Sequence, residues 1–101
     1  MVRERRCSGQ TLALLAALLA QPGCWRHGYE LSGETGLKSG TLYPILMRME
    51  DRGLLAARWE AAAPHGRPPR HLYRLTAQGV SWAREQLATD ADLPLPQRGR
   101  A

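Results

Sequence analysis

The sequence predicts an α+β fold with the topology of a winged helix-turn-helix: three helices, a two-stranded β wing and one more helix. Three observations lead to this prediction. Apolar residues recur at helical spacing in three early segments, the spacing alternates after Gly53, and helical spacing returns after Thr76. With 101 residues the chain is the size of one small domain. We therefore assign residues 10–75 to the winged helix-turn-helix and residues 76–89 to the last helix.

The first helix is predicted from Gln10 to Gln21, a run of Leu and Ala that stops at Pro22-Gly23. Leu12, Leu15 and Leu19 lie on one of its faces, and further leucines lie on the other. A helix that is apolar nearly all round has to be covered on more than one side. Because a chain this short has only a modest core of its own, a second subunit is a natural cover, and we expect a homodimer.

The same N-terminal region resembles an export signal, because a basic start precedes the apolar run and Cys24 follows it. The run is too short to span a bilayer. Glu4 interrupts the basic cluster, and residues 21–23 lack the apolar residue that a lipoprotein signal places before its cysteine. We therefore expect a buried helix in a cytoplasmic protein with no membrane segment. An exported lipoprotein is a competing hypothesis.

A short second helix is predicted from His27 to Glu34, closed by Gly36. The third helix begins near Ser39, a good N-cap, and ends at Gly53. Pro44 lies close enough to the first turn of this helix to be tolerated. The apolar face of the third helix follows the spacing i, i+3, i+4, i+7 and consists of Leu42, Ile45, Leu46 and Met49.

The wing is predicted from the alternating pattern that follows. Leu55, Ala57 and Trp59 point to one side of its first strand, and we expect Trp59 in the core at the base of the wing. The second strand is predicted from Arg70 to Leu75. Residues 61–69 contain Gly, Pro and basic residues, which predicts a long basic hairpin tip between the two strands.

The last helix is predicted to start after Thr76, a good N-cap, and to run to about Thr89. Residues 90–101 have little to bury and are expected to form a flexible tail. Residues 1–9 form a basic N-terminal arm. The apolar row of the last helix, with a tryptophan beside it, consists of Val80, Ala83, Leu87 and Trp82.

The net charge favours a protein that binds polyanions, whereas the spacing of the Cys, His and Ser residues disfavours a metalloprotein or an enzyme. The net charge is +5 and the isoelectric point is near 10.0, which suits a partner that carries phosphates. Cys24 and His27 have the spacing of half a zinc site, but no second half follows at a matching spacing. The serines lack evident His and acid partners, and no Gly-rich phosphate loop is present. We therefore expect no catalytic residues, no metal and no cofactor.

Three segments, in order, resemble the PadR family of bacterial transcriptional regulators. They are HGYEL at 27–31, SGTLYPILMRMEDRGLL at 39–55 and GRPPRHLYRLTAQG at 66–79. The resemblance implies a homodimer that binds double-stranded DNA through the third helix and the wing and represses nearby genes. It also implies dimerisation through the helix after the wing, with the first helix contributing. Many members of the family are released from DNA by a small molecule such as a phenolic acid or a hydrophobic drug.

The chain departs from the family pattern in two places. Lys38-Ser39 stands where many members have a proline before the glycine, which alters the start of the third helix. The C-terminal part is a single helix and a tail, so the chain resembles the short subclass of the family, and the dimer contacts of longer members do not transfer directly.

In this setting the third helix is expected to enter the major groove of a palindromic operator with its N-terminal half leading. Arg48 is a candidate base contact, since Arg to guanine is the commonest one, but an ion pair with Asp51 is an equally open alternative. In the wing, Arg67 and Arg70 are expected to meet the DNA backbone or the minor groove, or else to lie on a solvated charged loop. The full DNA-binding set is Lys38, Ser39, Gly40, Thr41, Tyr43, Pro44, Arg48, Arg67 and Arg70.

The expected dimer contacts come from the first and last helices. Trp82 either anchors this interface or stacks on a flat hydrophobic effector. A winged-helix module for protein–protein contact is the alternative function, and Met47 on the third helix is the residue that favours it. The full dimerisation set is Leu12, Leu15, Leu19, Val80, Trp82, Ala83 and Leu87.

Overall fold

The computed structural model describes residues 7–61 and 63–91. The predicted arm lies outside these residues from 1 to 6, and the predicted tail lies outside them from 92 onward. A 3-10 turn at Pro64–Gly66 precedes the last strand. The α+β winged helix-turn-helix with its additional C-terminal helix is confirmed. Its elements are α1 (Gly9–Ala20), β1 (Arg26–His27), α2 (Gly28–Thr35), α3 (Ser39–Asp51), β2 (Leu55–Trp59), β3 (His71–Leu75) and α4 (Ala77–Ala91).

The strands form one antiparallel sheet in the order β1-β3-β2. β2 and β3 are the predicted wing, with Trp59 opposite His71. β1 adds a third strand to the predicted two, because Arg26 pairs with Tyr73. A strand of two residues is too short to show an alternating pattern, so the sequence carries no signal for it.

The core lies between the helices and the inner face of the sheet, and α1 faces it differently from the prediction. The buried side of α1 holds Leu14, Leu15 and Leu18. Leu12 and Leu19 are only half-buried and pack at the edge of the core. The buried apolar residues are Leu14, Leu15, Leu18, Leu31, Leu42, Ile45, Leu46, Met49, Leu54, Leu55, Tyr73, Leu75 and Ala83.

Two connections meet at one corner of the molecule, the one from α3 to β2 and the one from β3 to α4. The Thr76 hydroxyl donates to the Gly53 carbonyl oxygen at 2.8 Å and accepts the Gly79 N–H at 2.9 Å. The Thr76 N–H donates to the Leu54 carbonyl oxygen at 3.1 Å. Gly79 lies so close to this backbone that a Cβ atom there would overlap the Leu54 carbonyl oxygen. The corner therefore fixes α4 against the end of α3 and the base of the wing.

A buried arginine joins α1, β1 and α2. Arg26 is 2% exposed, and its guanidinium pairs with Glu30 at 2.8 Å and with Glu34. It also donates to the Ala17 carbonyl oxygen of α1 at 3.2 Å. Burial lowers the pKa of Arg26, but the hydrogen bonds to the two carboxylates outweigh burial and raise it above its ordinary value. Arg26 therefore stays charged and is paired inside the fold.

Both cysteines are free thiols, Cys7 half-buried and Cys24 exposed. Over residues 7–61 and 63–91, no cluster of three or more His, Cys, Asp or Glu side chains could hold a metal ion. Within the same ranges, every helix is too short or too polar to cross a membrane.

We predict that Gly79→Ala lowers the free energy of unfolding by about 3 kcal/mol, because the new methyl group meets backbone atoms that cannot rotate away. Gly33→Ala is the matched control, since a Cβ atom at residue 33 of α2 meets nothing within 4 Å. The control should raise stability by about 0.5–1 kcal/mol. Urea unfolding followed by circular dichroism measures both, and equal effects would contradict the close packing at the corner.

Candidate nucleic-acid interface

The front of α3 is an exposed helix start with a cation beside it. Lys38 occupies the N-cap position in extended conformation, with φ −80° and ψ 159°, and makes no side-chain cap hydrogen bond. The predicted N-cap, Ser39, is wrong by one residue, because Ser39 is already helical. Ser39 and Gly40 are exposed and Thr41 is half-buried. Since no side chain caps the first turn, the N–H groups of Ser39 and Gly40 are available to an anion, whereas the Thr41 N–H already donates to the Lys38 carbonyl oxygen at 2.9 Å.

Tyr43 belongs to both the packing and the surface. Its side chain is 38% exposed. Its phenol also lies against the start of α2, where a Cβ atom on Gly28 would overlap the ring. The glycine of the HGYEL segment therefore lets α2 and α3 approach each other, and the same contact fixes the direction of the Tyr43 ring.

The outward face of α3 continues through Pro44, Met47 and Arg48, which are all exposed. Met47 is 62% exposed. In the part of the chain that the structure describes, no ion pair joins Arg48 to Asp51. At about 1.5 Å per residue, Arg48 lies about 12 Å along the helix from Gly40. It is thus separate from the front of α3 and borders the cleft described below.

In the wing, the two candidate arginines already have partners. The Arg67 guanidinium pairs with both oxygens of Glu60, at 3.1 and 3.3 Å. Glu60 also accepts the Arg70 backbone N–H at 2.9 Å. These contacts lower the pKa of the Glu60 carboxyl below its ordinary value, and the hydrogen bond from Arg67 is the largest cause. A phosphate that binds Arg67 therefore has to compete with a carboxylate.

The Arg70 guanidinium instead lies 2.8 Å from Nε2 of His27. The other ring nitrogen of His27, Nδ1, caps α2 by accepting the Glu30 N–H at 3.1 Å. A neutral imidazole has only one accepting nitrogen, so it accepts from Glu30 or from Arg70 but not from both. Burial and then the Arg70 charge lower the pKa of His27 below its ordinary value. While Nδ1 accepts the Glu30 N–H, Nε2 carries the proton and accepts nothing from Arg70. The Arg70 guanidinium therefore has a neutral, replaceable neighbour, unlike Arg67.

The aromatic residues of the wing correct one prediction. Trp59, expected in the core, is 63% exposed and stacks on His71 with ring centres 4.5 Å apart. His71 lies 5.0 Å from Tyr73, which is buried. The expected burial is wrong because β2 continues beyond the helices that cover its first residues. Tyr29, 80% exposed at the start of α2, is a second surface aromatic that the sequence analysis did not single out.

The predicted dimer residues divide into two groups. Leu15 and Ala83 are 0% exposed within the single subunit, so they have no surface to offer a partner. The other members are half-buried and lie on α1 and α4, which pack against each other. These remaining residues are Leu12, Leu19, Val80, Trp82 and Leu87.

A cleft of about 730 Å³ lies beside these helices and contains Trp82. The Arg52 guanidinium lies over the Trp82 ring, 5.2 Å from its centre. The Cys7 thiol donates to Oε1 of Gln86 at 3.3 Å, and burial raises its pKa. The cleft thus combines an indole, two guanidinium groups and apolar side chains. Its lining consists of Cys7, Ser8, Thr11, Ile45, Arg48, Met49, Arg52, Trp82, Gln86 and Thr89.

Comparison with known proteins agrees with this fold. The model of the family described as "Transcriptional regulator PadR-like family" matches residues 14–85. A PadR-like transcription factor from Bacteroides fragilis has a TM-score of 0.66 at 24% identity, over 81% of this chain and 80% of that one. The PcaV transcriptional regulator from Streptomyces coelicolor has a TM-score of 0.63 at 30% identity, over 83% of this chain and 57% of that one. BpsR from Bordetella bronchiseptica has a TM-score of 0.65 at 20% identity, over 96% and 75%. A search of curated proteins finds no match.

The pKa of His27 leads to a prediction about pH. Because the folded state lowers this pKa from its ordinary value of 6.5, the unfolded chain binds a proton more readily. The contribution of His27 to stability is therefore complete above pH 6.5 and is lost as the pH falls through the lowered pKa. His27→Asn keeps an acceptor for the Glu30 N–H but does not titrate, so this loss should disappear. Chemical unfolding at a series of pH values measures it, with His65→Asn in the exposed turn as the control that keeps the wild-type slope.

Proposed function

Because this chain belongs to the PadR-like family of transcriptional regulators, we propose that it is a homodimeric repressor that binds a palindromic operator in double-stranded DNA. The front of α3 carries this proposal, since Lys38, Ser39 and Gly40 are exposed there and no side chain caps the first turn. Such a helix start attracts phosphates through the Lys38 ammonium group and the N–H groups of Ser39 and Gly40. A role on DNA also places the protein in the cytoplasm.

In the proposed complex, α3 enters the major groove with its front leading, and Thr41, Tyr43 and Pro44 face the groove wall. Arg48 reaches a base edge or a phosphate from the second half of the helix. Residues 10–75 thus form the DNA-binding unit. In the wing, Arg70 is the readier phosphate contact because its present partner is a neutral imidazole rather than a carboxylate.

We propose that the dimer interface lies on α1 and α4. On α4 it falls within residues 76–89. Half-buried leucines and Trp82 on two adjacent helices leave apolar surface that a second subunit would cover. The revised interface set is Leu12, Leu19, Val80, Trp82 and Leu87.

The cleft beside Trp82 is the proposed site of a small hydrophobic or aromatic effector. An indole face and apolar side chains suit a flat ring. Arg48 of α3 lines the same cleft, so a bound ligand would contact the proposed DNA-binding helix directly. BpsR, a structural neighbour, is described as having its DNA binding regulated by 6-hydroxynicotinic acid. A ligand that engages Arg48 or presses on α4 would weaken operator binding.

Met47 supports a second candidate function, a winged-helix module that binds another protein. It is 62% exposed on the outward face of α3, where an apolar side chain suits a protein surface. Met47→Gln would weaken such a protein complex, whereas the salt slope of DNA binding should stay unchanged, because the substitution alters no cation. The two functions are therefore separable by one substitution.

The proposed function is tested first with the DNA upstream of the gene for this protein. We predict a gel shift with this DNA and a palindromic footprint whose half-sites lie one helical turn apart, about 34 Å. Unrelated DNA of the same length should bind far more weakly at physiological salt. Equal affinity for both would contradict operator recognition and favour the protein-binding alternative.

Substitutions then test the docking mode. We predict that Arg48→Ala weakens operator binding by about 1–3 kcal/mol and that Arg67→Ala lowers the salt slope by about one. Glu60→Gln should strengthen DNA binding, since it releases Arg67 from its carboxylate partner. Arg84→Ala, which removes an exposed cation from α4, is the matched control. Binding isotherms over a range of salt concentrations measure all four, and unchanged curves for Arg48→Ala and Arg67→Ala would contradict the docking mode.

A further inference from the structure

The sheet has a second surface, its outer face, which is turned away from the core. The pairing of His27 with Leu72 and of Arg58 with Leu72 places these side chains on the same face. Residues alternate between the faces of a strand, so the even-numbered residues of β3 share this face. The outer face as defined here consists of Trp25, His27, Arg58, Arg70 and Arg74.

Trp25 organises this face by holding two cations. The guanidinium carbon of Arg58 lies 4.3 Å from the centre of the Trp25 ring, and that of Arg74 lies 4.4 Å from it. Both are well within the range of a cation–π contact. A guanidinium that stacks on a ring keeps its N–H edge free for a phosphate. The indole therefore holds two cations close to one ring and neutralises neither of them.

The outer face keeps a net positive charge, although two carboxylates lie at its edge. Glu30 Oε1 is 4.0 Å from Nε2 of His27, and Glu60 accepts the Arg70 backbone N–H. Glu30 and Glu34 pair with the buried arginine of β1, and Glu60 pairs with Arg67. Over residues 7–61 and 63–91, no carboxylate forms an ion pair with the three arginines of the outer face. The partner of Arg70 is an imidazole. Three oriented cations thus share one face and attract a polyanion.

We propose that the outer face binds the phosphate backbone of duplex DNA that flanks the groove-bound segment. This inference rests on the proposed function, since it presupposes a protein already docked on its operator. Arg70 supplies the continuity, because it adjoins the hairpin tip of the wing, where its carbonyl oxygen accepts the Glu60 N–H, and it also belongs to the outer face. Arg58 and Arg74 continue the same basic surface along the wing strands toward Trp25, so DNA longer than the minimal operator gains contacts that the groove does not provide.

Two duplexes from the upstream DNA test the proposal. One is the footprinted segment alone, and the other carries about 10 further base pairs, one helical turn, on each side. Wild-type protein is expected to bind the longer duplex more tightly and with a steeper dependence on salt. Arg58→Gln/Arg74→Gln should lose this difference, with a salt slope on the longer duplex lower by about two for each contacting subunit. Its affinity for the short duplex should equal that of the wild type.

Three controls separate this contact from other effects. Arg58→Lys/Arg74→Lys keeps both charges and should keep most of the salt slope. Trp25→Leu keeps the charges but not their orientation, and should reduce the gain in affinity on the longer duplex. Arg84→Gln removes a cation from α4 and should leave the length dependence unchanged. Thermal unfolding of each variant confirms that the fold is retained.

The outcomes distinguish this inference from the function on which it rests. Binding of the wild type that does not depend on duplex length would overturn the outer-face contact and leave operator binding intact. Loss of affinity for the short duplex in Arg58→Gln/Arg74→Gln would also overturn it, since these residues would then act within the groove complex. If Arg84→Gln reduced the dependence on duplex length as much as Arg58→Gln/Arg74→Gln does, net charge alone would explain the effect. That result would overturn the outer-face contact as well. Failure of the wild type to bind either duplex would overturn both proposals.

Discussion

The contact of Gly79 with the Leu54 backbone is the constraint on which the rest of the structure depends. It is a contact between main chains, with no side chain that could rotate away. Thr76 adds hydrogen bonds to both residues of the adjoining turn, at 2.8 Å to Gly53 and 3.1 Å to Leu54. The end of α3, the start of β2, the end of β3 and the start of α4 therefore have fixed relative positions. A recognition surface built from α3 and the wing depends on that rigidity.

The partners of the arginines decide what the net charge of +5 can do. Arg26 is buried and paired with carboxylates, so its charge stabilises the junction of α1 and α2 and is lost to any external partner. Arg67 is paired at the surface, where a phosphate can displace Glu60. The guanidinium groups of Arg70 and Arg74 lie beside rings, those of His27 and Trp25, and form no ion pair with a carboxylate of the described residues. Arginine thus has three different roles in this molecule. One arginine is a buried structural cation, one is a surface cation for which a phosphate must compete with Glu60, and two are surface cations without such a competitor.

The parts of this molecule that could be predicted are those with a periodic pattern or a capping residue. The stripe of α3 and the cap at Thr76 are local patterns, and both are present. The alternating pattern at residues 55–59 predicts a strand correctly, but burial along β2 decreases from Leu55 to Trp59 and does not alternate. β1 could not be predicted, because it spans only two residues and pairs with a strand far along the chain. The partners of Arg26 are near in sequence, at Ala17, Glu30 and Glu34, but no local pattern shows that the position is buried. Alternation predicts Trp59 in the core, because it shows which side a residue faces but not how far the covering helices extend. The observed N-cap of α3, Lys38, differs from the predicted Ser39 by a single residue, and residue propensities do not resolve helix ends to one residue.

The rigid corner also determines how an effector in the cleft would act. Gly79 fixes α4 near its first turn, whereas the cleft touches α4 further along, at Trp82 and Gln86. These positions are about 10 Å apart along the helix between Gly79 and Gln86. A ligand wedged between α3 and the far part of α4 therefore cannot shift α4 as a whole, and instead tilts it about Gly79. In the proposed dimer α4 forms the interface, so the tilt would change the spacing of the two α3 helices. Binding of the proposed operator would be sensitive to this spacing, because the expected half-sites lie a fixed helical turn apart.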